Sequence, residues 1–138
     1  MINKISDIKL AIIGLGYVGL PLVLEFAKKR TIIGFDISEK RINELNCGID
    51  SNLEFDKKDF KNSKSINFTC NKKELKSANC FIITVPTPVD ELKKPDLKPL
   101  LTASKMIGEV IKRGDIVIYE ATVYPGCVEE ECVPVLEK

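Results

Sequence analysis

The sequence has no histidine, and no two of its five cysteines stand in a C-x-x-C spacing. Without histidine, these 138 residues cannot supply a histidine acid–base catalyst. The odd number of cysteines and the lack of any C-x-x-C pair argue against a disulfide framework and against a zinc site. We therefore expect free thiols and no bound metal. The cysteines are Cys47, Cys70, Cys80, Cys127 and Cys132.

Long apolar runs and basic blocks are also missing. No apolar run approaches the ~20 residues that cross a bilayer, and the N-terminus lacks a signal-peptide pattern. The formal net charge is +1, and no basic block is longer than Lys28–Arg30. A nucleic-acid partner therefore has little support. We expect one cytoplasmic domain over residues 1–138, with no membrane or nucleic-acid partner.

The stretch from Ile12 to Pro21 contains the most informative motif. Glycines stand at Gly14, Gly16 and Gly19, the G-x-G-x-x-G spacing of a dinucleotide-binding turn, directly after the apolar run Lys9–Ile13. The first glycine permits a tight turn, the second lets bare backbone approach a pyrophosphate, and the third lets a helix lie close to the sheet. Unpaired N–H groups at the start of that helix suit two phosphates.

A second apolar run, Thr31–Phe35, ends in an acid. Asp36 follows Gly14 by 22 residues, close to the spacing of the carboxylate that holds an adenosine ribose. Its charge would repel the 2′-phosphate of NADP, which favours NAD. The alternative is an Asp36 that only caps the next helix. Arg41, on the first turn of that helix, is a candidate for the adenosine side or else a solvated charge.

Strand and helix patterns alternate along the rest of the chain. Alternation of this kind predicts a parallel, doubly wound, Rossmann-type α/β sheet. Further strands are expected at 66–69, 80–85 and 115–119, and helices at 18–28, 39–46, 71–78, 97–112 and 126–136. Val18, Leu22 and Phe26 are expected on one face of the first helix, and Arg41 on the outer face of the second.

In such a sheet, ligands lie along the carboxyl ends of the strands. Four groups fall there: Gly14–Gly16, Asp36, Val85–Thr87 and Glu120–Thr122. The first two would hold adenosine and pyrophosphate, and the last two would line the nicotinamide end. The charged segment Asp90–Pro95 is a candidate lid over the ligand.

With these residues in hand, the chain resembles the N-terminal domain of the UDP-glucose/GDP-mannose dehydrogenase family. The resemblance runs from about Lys9 to the end. The final stretch is most similar to the UDP-N-acetylglucosamine/UDP-N-acetylgalactosamine 6-dehydrogenases of surface-polysaccharide synthesis. Four segments carry the match: Gly14–Pro21, Thr84–Pro88, Lys94–Leu97 and Thr122–Gly126.

The resemblance implies oxidation of a sugar C6 alcohol to a carboxylate, with two NAD reduced and a thioester formed on a catalytic cysteine. It places Gly14, Gly16 and Val18 at the pyrophosphate. Thr122 matches the family threonine thought to position a catalytic water; the alternative is a strand-end hydroxyl that bonds local backbone. The predicted cofactor-binding residues are Gly14, Leu15, Gly16, Tyr17, Val18, Gly19, Asp36, Arg41, Val85, Pro86, Thr87, Glu120 and Thr122.

Two departures from the family pattern limit the expected activity. Ala121 stands where the family usually has serine, and the G-x-G-G-x-C-x-x-K-D segment with the nucleophile is absent. Cys127 does not match that motif. We expect part of a longer dehydrogenase, ending after the fifth strand and its following helix, that binds NAD without turnover. The UDP-sugar would bind elsewhere in the intact enzyme. An unpaired fifth strand predicts self-association as a homo-oligomer.

Other functions fit parts of the same pattern. The substrate could be UDP-glucose or UDP-N-acetylmannosamine, because the sugar-reading residues of the family lie beyond Lys138. A stand-alone, non-catalytic NAD-sensing module would also lack the catalytic residues. A hydroxy-acid dehydrogenase could share the fold, since fold alone does not determine function.

Overall fold

The computed structural model describes residues 2–138, which form one five-stranded parallel sheet. The strand order is β3-β2-β1-β4-β5, so the chain starts in the middle, builds outward to one edge and then crosses to the other side. All four neighbouring pairs are parallel. This confirms the predicted doubly wound sheet. The strands are β1 (Leu10–Ile13), β2 (Ile32–Phe35), β3 (Ile66–Thr69), β4 (Cys80–Ile83) and β5 (Ile116–Tyr119).

Helices connect the strands and cover both faces of the sheet. The α-helices are α1 (Gly19–Ala27), α2 (Glu39–Asn46), α3 (Lys98–Gly108) and α4 (Val133–Leu136). Helices of the 3-10 type span Ile5–Asp7, Lys57–Ser65 and Lys72–Ser77, and a π-helical turn spans Val128–Cys132. No helix in the described part of the chain is long and apolar enough to cross a membrane.

The alternating side chains of β1 enter two separate cores. Leu10 and Ile12 pack into the cluster that includes α1, whereas Ala11 and Ile13 pack into the cluster that includes α3. All four residues of β1 are buried. A strand buried on both faces reads as a continuous apolar run, which is why the sequence pattern identified it. Cys80 of β4 is buried in the first cluster, as expected for a small apolar side chain.

The face predicted for α1 is wrong for two of its three residues. Val18 is 49% exposed and Phe26 is 37% exposed, whereas Leu22 is partly buried against the core. The residues buried against the sheet are Gly19, Leu20, Val23, Leu24 and Ala27. The close approach of Gly19 to the Gly14 carbonyl and to Thr84 sets this rotation of the helix.

Three other local predictions need correction. The helix expected over 71–78 is a 3-10 helix. The Glu74 carboxylate in this helix accepts hydrogen bonds from Thr69 Oγ1 at 3.0 Å and from the amide of Asn67. The helix expected over 97–112 ends at Gly108 rather than near Lys112. The last helix is π-helical over Val128–Cys132 and α-helical over Val133–Leu136.

The segment Asp90–Pro95 is a tight hairpin turn. Val89 and Pro95 form an antiparallel bridge, and the carboxylate of Asp90 accepts the N–H groups of Leu92 at 2.9 Å and Lys94 at 2.8 Å. Its proposed role as a lid stays a prediction.

Strand β5 is an edge strand of the sheet, as expected from the sequence.

Candidate functional site

A cleft of about 540 Å³ opens at the carboxyl ends of β1, β2 and β4. The strand order reverses beside β1, and ligands of open α/β sheets bind at such a switch point. The walls of the cleft combine the glycine turn, the end of β2 and the first turns of α3. The lining residues are Ile13, Gly14, Leu15, Gly16, Phe35, Asp36, Ile37, Ser38, Arg41, Asn52, Thr84, Val85, Pro86, Lys98, Pro99, Thr102, Ala103 and Met106.

The three glycines of the turn meet different surroundings. Gly14 has a φ of +95°, a conformation that other residues rarely adopt. A Cβ on Gly19 would overlap the carbonyl oxygen of Gly14 and lie 2.6 Å from Thr84 Oγ1. A Cβ on Gly16 would meet nothing within 4 Å. Gly19 therefore serves packing, whereas Gly16 leaves the floor of the cleft open to a ligand.

The peptide groups on both sides of Leu15 are fixed by side chains from β2 and α2. The Leu15 N–H donates to Asp36 Oδ2 at 2.9 Å, and the Leu15 carbonyl accepts from Arg41 Nε at 2.9 Å. Asp36 Oδ1 accepts the Ser38 N–H at 2.9 Å. The helix cap is Ser38, whose hydroxyl accepts the Arg41 N–H at 3.2 Å. Asp36 is therefore joined to the glycine turn, not confined to capping.

Arg41 was expected to point outward, and this prediction is wrong. The residue is only 9% exposed, and its Nη1 donates to Asp50 Oδ1 at 2.8 Å and to Ser51 Oγ at 3.2 Å. A helix charge is usually solvated, but this one has a buried partner in the following loop. Arg41 Nη2 is buried without a hydrogen-bond partner among the described residues. Arg41 also lines the cleft, so a bound ligand could satisfy this orphaned donor.

Asp50 is the buried partner of Arg41. Burial alone would raise the pKa of its carboxyl, but hydrogen bonds from Arg41 and from the N–H groups of Asn52 and Glu54 outweigh it and hold the pKa below its ordinary value. The carboxylate therefore stays charged at neutral pH. Asp50 was not among the predicted site residues, because no local sequence pattern indicates a partner nine residues from Arg41.

Thr84 braces the glycine turn from below. The Thr84 hydroxyl donates to the carbonyl oxygen of Gly14 at 2.7 Å and to that of Ile13 at 3.0 Å, and Thr84 is buried. The residue belongs to one of the motifs singled out in the sequence, yet no role was assigned to it there. The sequence signal that could have identified Thr84 was its position directly after the apolar run Cys80–Ile83.

The structure brings together some of the predicted site residues and separates others. Gly14, Leu15, Gly16, Asp36, Arg41, Val85 and Pro86 all line the cleft. Among the described residues, its lining does not include the other predicted positions, Tyr17, Val18, Gly19, Thr87, Glu120 and Thr122.

Thr87 and Thr122 form a second group beyond β4 and β5. Thr87 Oγ1 donates to the Thr122 carbonyl at 3.3 Å. The Glu120 N–H continues the β4–β5 ladder by donating to the Ile83 carbonyl at 2.9 Å. Cys127, which did not match the nucleophile motif, is fully buried in this region.

The cleft also contains residues that sequence analysis left out. Ser38 and Asn52 line the cleft, and neither was among the predicted site residues. Pro99, Thr102 and Met106 lie on α3 at spacings of three and four, beside the apolar stripe of the helix, and Met106 is partly buried against the core. That spacing was visible, but a second face of an amphipathic helix is ordinarily solvent-exposed.

These features fit a dinucleotide. The open floor at Gly16 leaves room for a diphosphate, and the carboxylate of Asp36 stands one strand away for a ribose. Arg41 Nη2, which has no hydrogen-bond partner among the described residues, could donate to an acceptor oxygen of the ligand. Together with the parallel sheet, the site defines a dinucleotide-binding domain of the Rossmann type.

Comparison with known proteins narrows this class. The model of the UDP-glucose/GDP-mannose dehydrogenase family, NAD binding domain, matches residues 8–138. The chain belongs to the UDP-glucose/GDP-mannose dehydrogenase family and contains its NAD binding domain.

Three similar proteins illustrate the relationship. The UDP-N-acetyl-D-glucosamine 6-dehydrogenase of Pseudomonas aeruginosa is 61% identical over 96% of this chain and 32% of its own length. The Salmonella typhi enzyme of the same name is 54% identical over 97% of this chain and 32% of its own length. The solved UDP-D-ManNAc dehydrogenase of Pyrococcus horikoshii is 33% identical, with a TM-score of 0.84 over 92% of this chain and 31% of that one. The chain spans about a third of the length of these relatives.

Proposed function

We propose that the cleft is the NAD site of this domain. The observation that carries the proposal is the Leu15 peptide, held between Asp36 and Arg41 beside the open floor at Gly16. The diphosphate would lie over the backbone of Gly14, Gly16 and Val18. In the free domain these groups already have defined positions, which lowers the entropic cost of binding.

Asp36 would select NAD over NADP. Its two oxygens accept the N–H groups of Leu15 and Ser38 and keep further lone pairs for ribose hydroxyls. The same negative charge would repel a 2′-phosphate. Ile37, which is 81% exposed beside it, offers no positive charge to offset that repulsion.

The nicotinamide half would extend toward Thr87 and Thr122. NAD, when bound, supplies a hydride acceptor for an alcohol carbon. Within the part of the chain that the structure describes, the Thr122 hydroxyl has no hydrogen-bond partner, so it is available to hold a water molecule. Oxidising a C6 alcohol to a carboxylate transfers two hydrides and takes its second oxygen from water. Thr122 is accordingly the proposed water-positioning residue.

For the longer protein, we propose NAD-dependent 6-dehydrogenase activity on a UDP-N-acetylhexosamine, in surface-polysaccharide synthesis. The choice of substrate class is supported by the sequence identity of this chain to its relatives. It is 61% to a UDP-N-acetyl-D-glucosamine 6-dehydrogenase, against 35% to a UDP-N-acetyl-D-mannosamine dehydrogenase of Pyrococcus horikoshii. The isolated domain is expected to bind NAD without turnover. Its cytoplasmic location and its assembly as a homo-oligomer stay predictions.

The substrate proposal is tested on the complete reading frame that contains this chain. The purified protein is offered NAD with UDP-N-acetylglucosamine, UDP-N-acetylgalactosamine, UDP-N-acetylmannosamine or UDP-glucose, and NADH is followed by absorbance. We expect fastest turnover with an N-acetylglucosamine or N-acetylgalactosamine substrate and two NADH per sugar consumed. Preference for UDP-glucose or UDP-N-acetylmannosamine would contradict the proposal.

A further inference from the structure

The turn over residues 50–55 is built around one buried carboxylate. Asp50 Oδ1 accepts the Asn52 N–H at 3.1 Å, and Oδ2 accepts the N–H groups of Glu54 at 3.0 Å and Phe55 at 3.2 Å. The Asp50 side chain has no exposed surface. Asn52, Glu54 and Phe55 therefore have defined backbone positions, although the turn follows no regular element pattern.

The same carboxylate connects the turn to the glycine turn. Asp50 Oδ1 also accepts from Arg41 Nη1, and Arg41 Nε donates to the Leu15 carbonyl. A continuous chain of hydrogen bonds thus runs from the 50–55 turn, through one guanidinium, to the peptide that Asp36 contacts. The turn is part of the wall of the cleft and not an independent surface loop.

Asn52 is the residue that this turn presents to the cleft. It lines the cleft together with Asp36, Ser38 and Arg41. Its backbone N–H is bound by Asp50, but its side-chain amide makes no hydrogen bond within the described residues. An amide offers two donors and one acceptor, and sugar hydroxyls can pair with both kinds of group.

We propose that Asn52 is a further cofactor-binding residue, whose side-chain amide hydrogen-bonds a hydroxyl of the adenosine ribose. This inference rests on the proposed NAD site. Asn52 stands on the wall shared with Asp36, which is expected to hold that ribose, whereas Pro99 and Met106 supply apolar surface suited to the adenine ring. Asp50 is the positioning residue, because it fixes the Asn52 backbone and the Arg41 guanidinium at once.

The test is Asn52→Ala in the 138-residue chain, with Asn43→Ala as the matched control. Asn43 is an exposed residue of α2 outside the described lining of the cleft. Alanine at position 52 keeps the N–H that Asp50 binds, so the turn and the urea midpoint should be preserved. Calorimetric titrations use NAD and its 2′-deoxyadenosine and 3′-deoxyadenosine analogues.

Loss of one hydrogen bond should weaken NAD binding by about five- to tenfold in Asn52→Ala and leave Asn43→Ala unchanged. For the analogue that lacks the contacted hydroxyl, the effect of Asn52→Ala should fall below about twofold. The inference is overturned if Asn52→Ala does not weaken NAD binding, or if it weakens NAD and both analogues equally. If the unaltered chain does not bind NAD, the proposed function itself fails, so the two failures are distinguishable.

Discussion

Asp36, at the end of β2, accepts a hydrogen bond from the main-chain N–H of Leu15, 21 residues earlier in the glycine turn, at 2.9 Å. The acid and the turn form one unit before any ligand arrives. A residue predicted to hold a ribose thus also sets the orientation of the backbone predicted to face a diphosphate. Changes at Asp36 should therefore affect both halves of the site.

Replacing Asp36 by alanine should weaken NAD binding by about ten- to a hundredfold. The change removes a charged acceptor for ribose hydroxyls and frees the Leu15 N–H. It should also narrow the difference between NAD and NADP, because the repulsion of the 2′-phosphate disappears. Calorimetric titration with both cofactors measures these effects. Asp59→Ala is the control, since its carboxylate also accepts a main-chain N–H, that of Asp56, but on an exposed turn. Equal losses in the two variants would place Asp36 among merely structural residues.

Alanine at Gly19 and alanine at Gly16 should have opposite consequences. The methyl group at position 19 would overlap the Gly14 carbonyl, so Gly19→Ala should lower the free energy of unfolding by about 1–3 kcal/mol or more. The methyl group at position 16 meets open space, so stability should change by less than about 0.5 kcal/mol. Gly16→Ala should instead weaken NAD binding. Urea unfolding and NAD titration of both variants separate the two roles, and a Gly16→Ala protein that binds NAD normally would show that the floor of the cleft is not the diphosphate site.

The buried pair Arg41–Asp50 should respond strongly to the loss of one partner. Asp50→Asn leaves the guanidinium without a counter-charge and should lower the free energy of unfolding by about 3–5 kcal/mol. The pair Lys40–Glu44, whose lysine is exposed and whose charged groups lie 3.9 Å apart, provides the comparison. Glu44→Gln should cost less than about 1 kcal/mol in the same urea experiment. Similar costs in the two variants would mean that burial does not strengthen the Arg41–Asp50 interaction.

The pH dependence of stability should report the same carboxylate. The pKa of Asp50 is lower in the folded chain than its ordinary value of 3.8, so its contribution is fully present above that value. The contribution disappears as the pH falls through the lowered pKa. The difference in unfolding free energy between the unaltered chain and Asp50→Asn should therefore be constant near neutrality and shrink below about pH 4. A difference that grows on acidification would have the wrong sign.

Thr84 offers a test of the support beneath the turn. Thr84→Val is close in shape but removes the hydroxyl that donates to the carbonyls of Ile13 and Gly14, so unfolding free energy should fall by about 1–3 kcal/mol. Thr84→Ser keeps the hydroxyl and should lose about 1 kcal/mol or less. If valine is tolerated better than serine, the methyl group and not the hydrogen bond is what the site requires.

The sheet and the glycine turn were predictable because their determinants are local. Each strand is a short apolar run, and the spacing of Gly14, Gly16 and Gly19 encodes a turn by itself. The partners of Arg41 and Glu74 were not predictable in this way. Arg41 pairs with a loop carboxylate, and Glu74 bonds Thr69 instead of its own helix. Side chains that reach across elements leave no periodic signal in the sequence.

The prediction of which face of α1 packs on the sheet failed for a related reason. Val18, Leu22 and Phe26 repeat at helical spacing, but so do Leu20, Val23, Leu24 and Ala27, because the helix is apolar on most sides. The contact of Gly19 with the glycine turn decides between the two faces. Asn52 was missed because a buried carboxylate, and no turn motif, shapes its loop.

We propose that the cleft beside the glycine turn binds NAD and selects it through Asp36. The most direct measurement is calorimetric titration of the 138-residue chain with NAD and, separately, with NADP. We expect one NAD per chain, bound more tightly than NADP. Absence of NAD binding, or NADP binding as tight as or tighter than that of NAD, would contradict it.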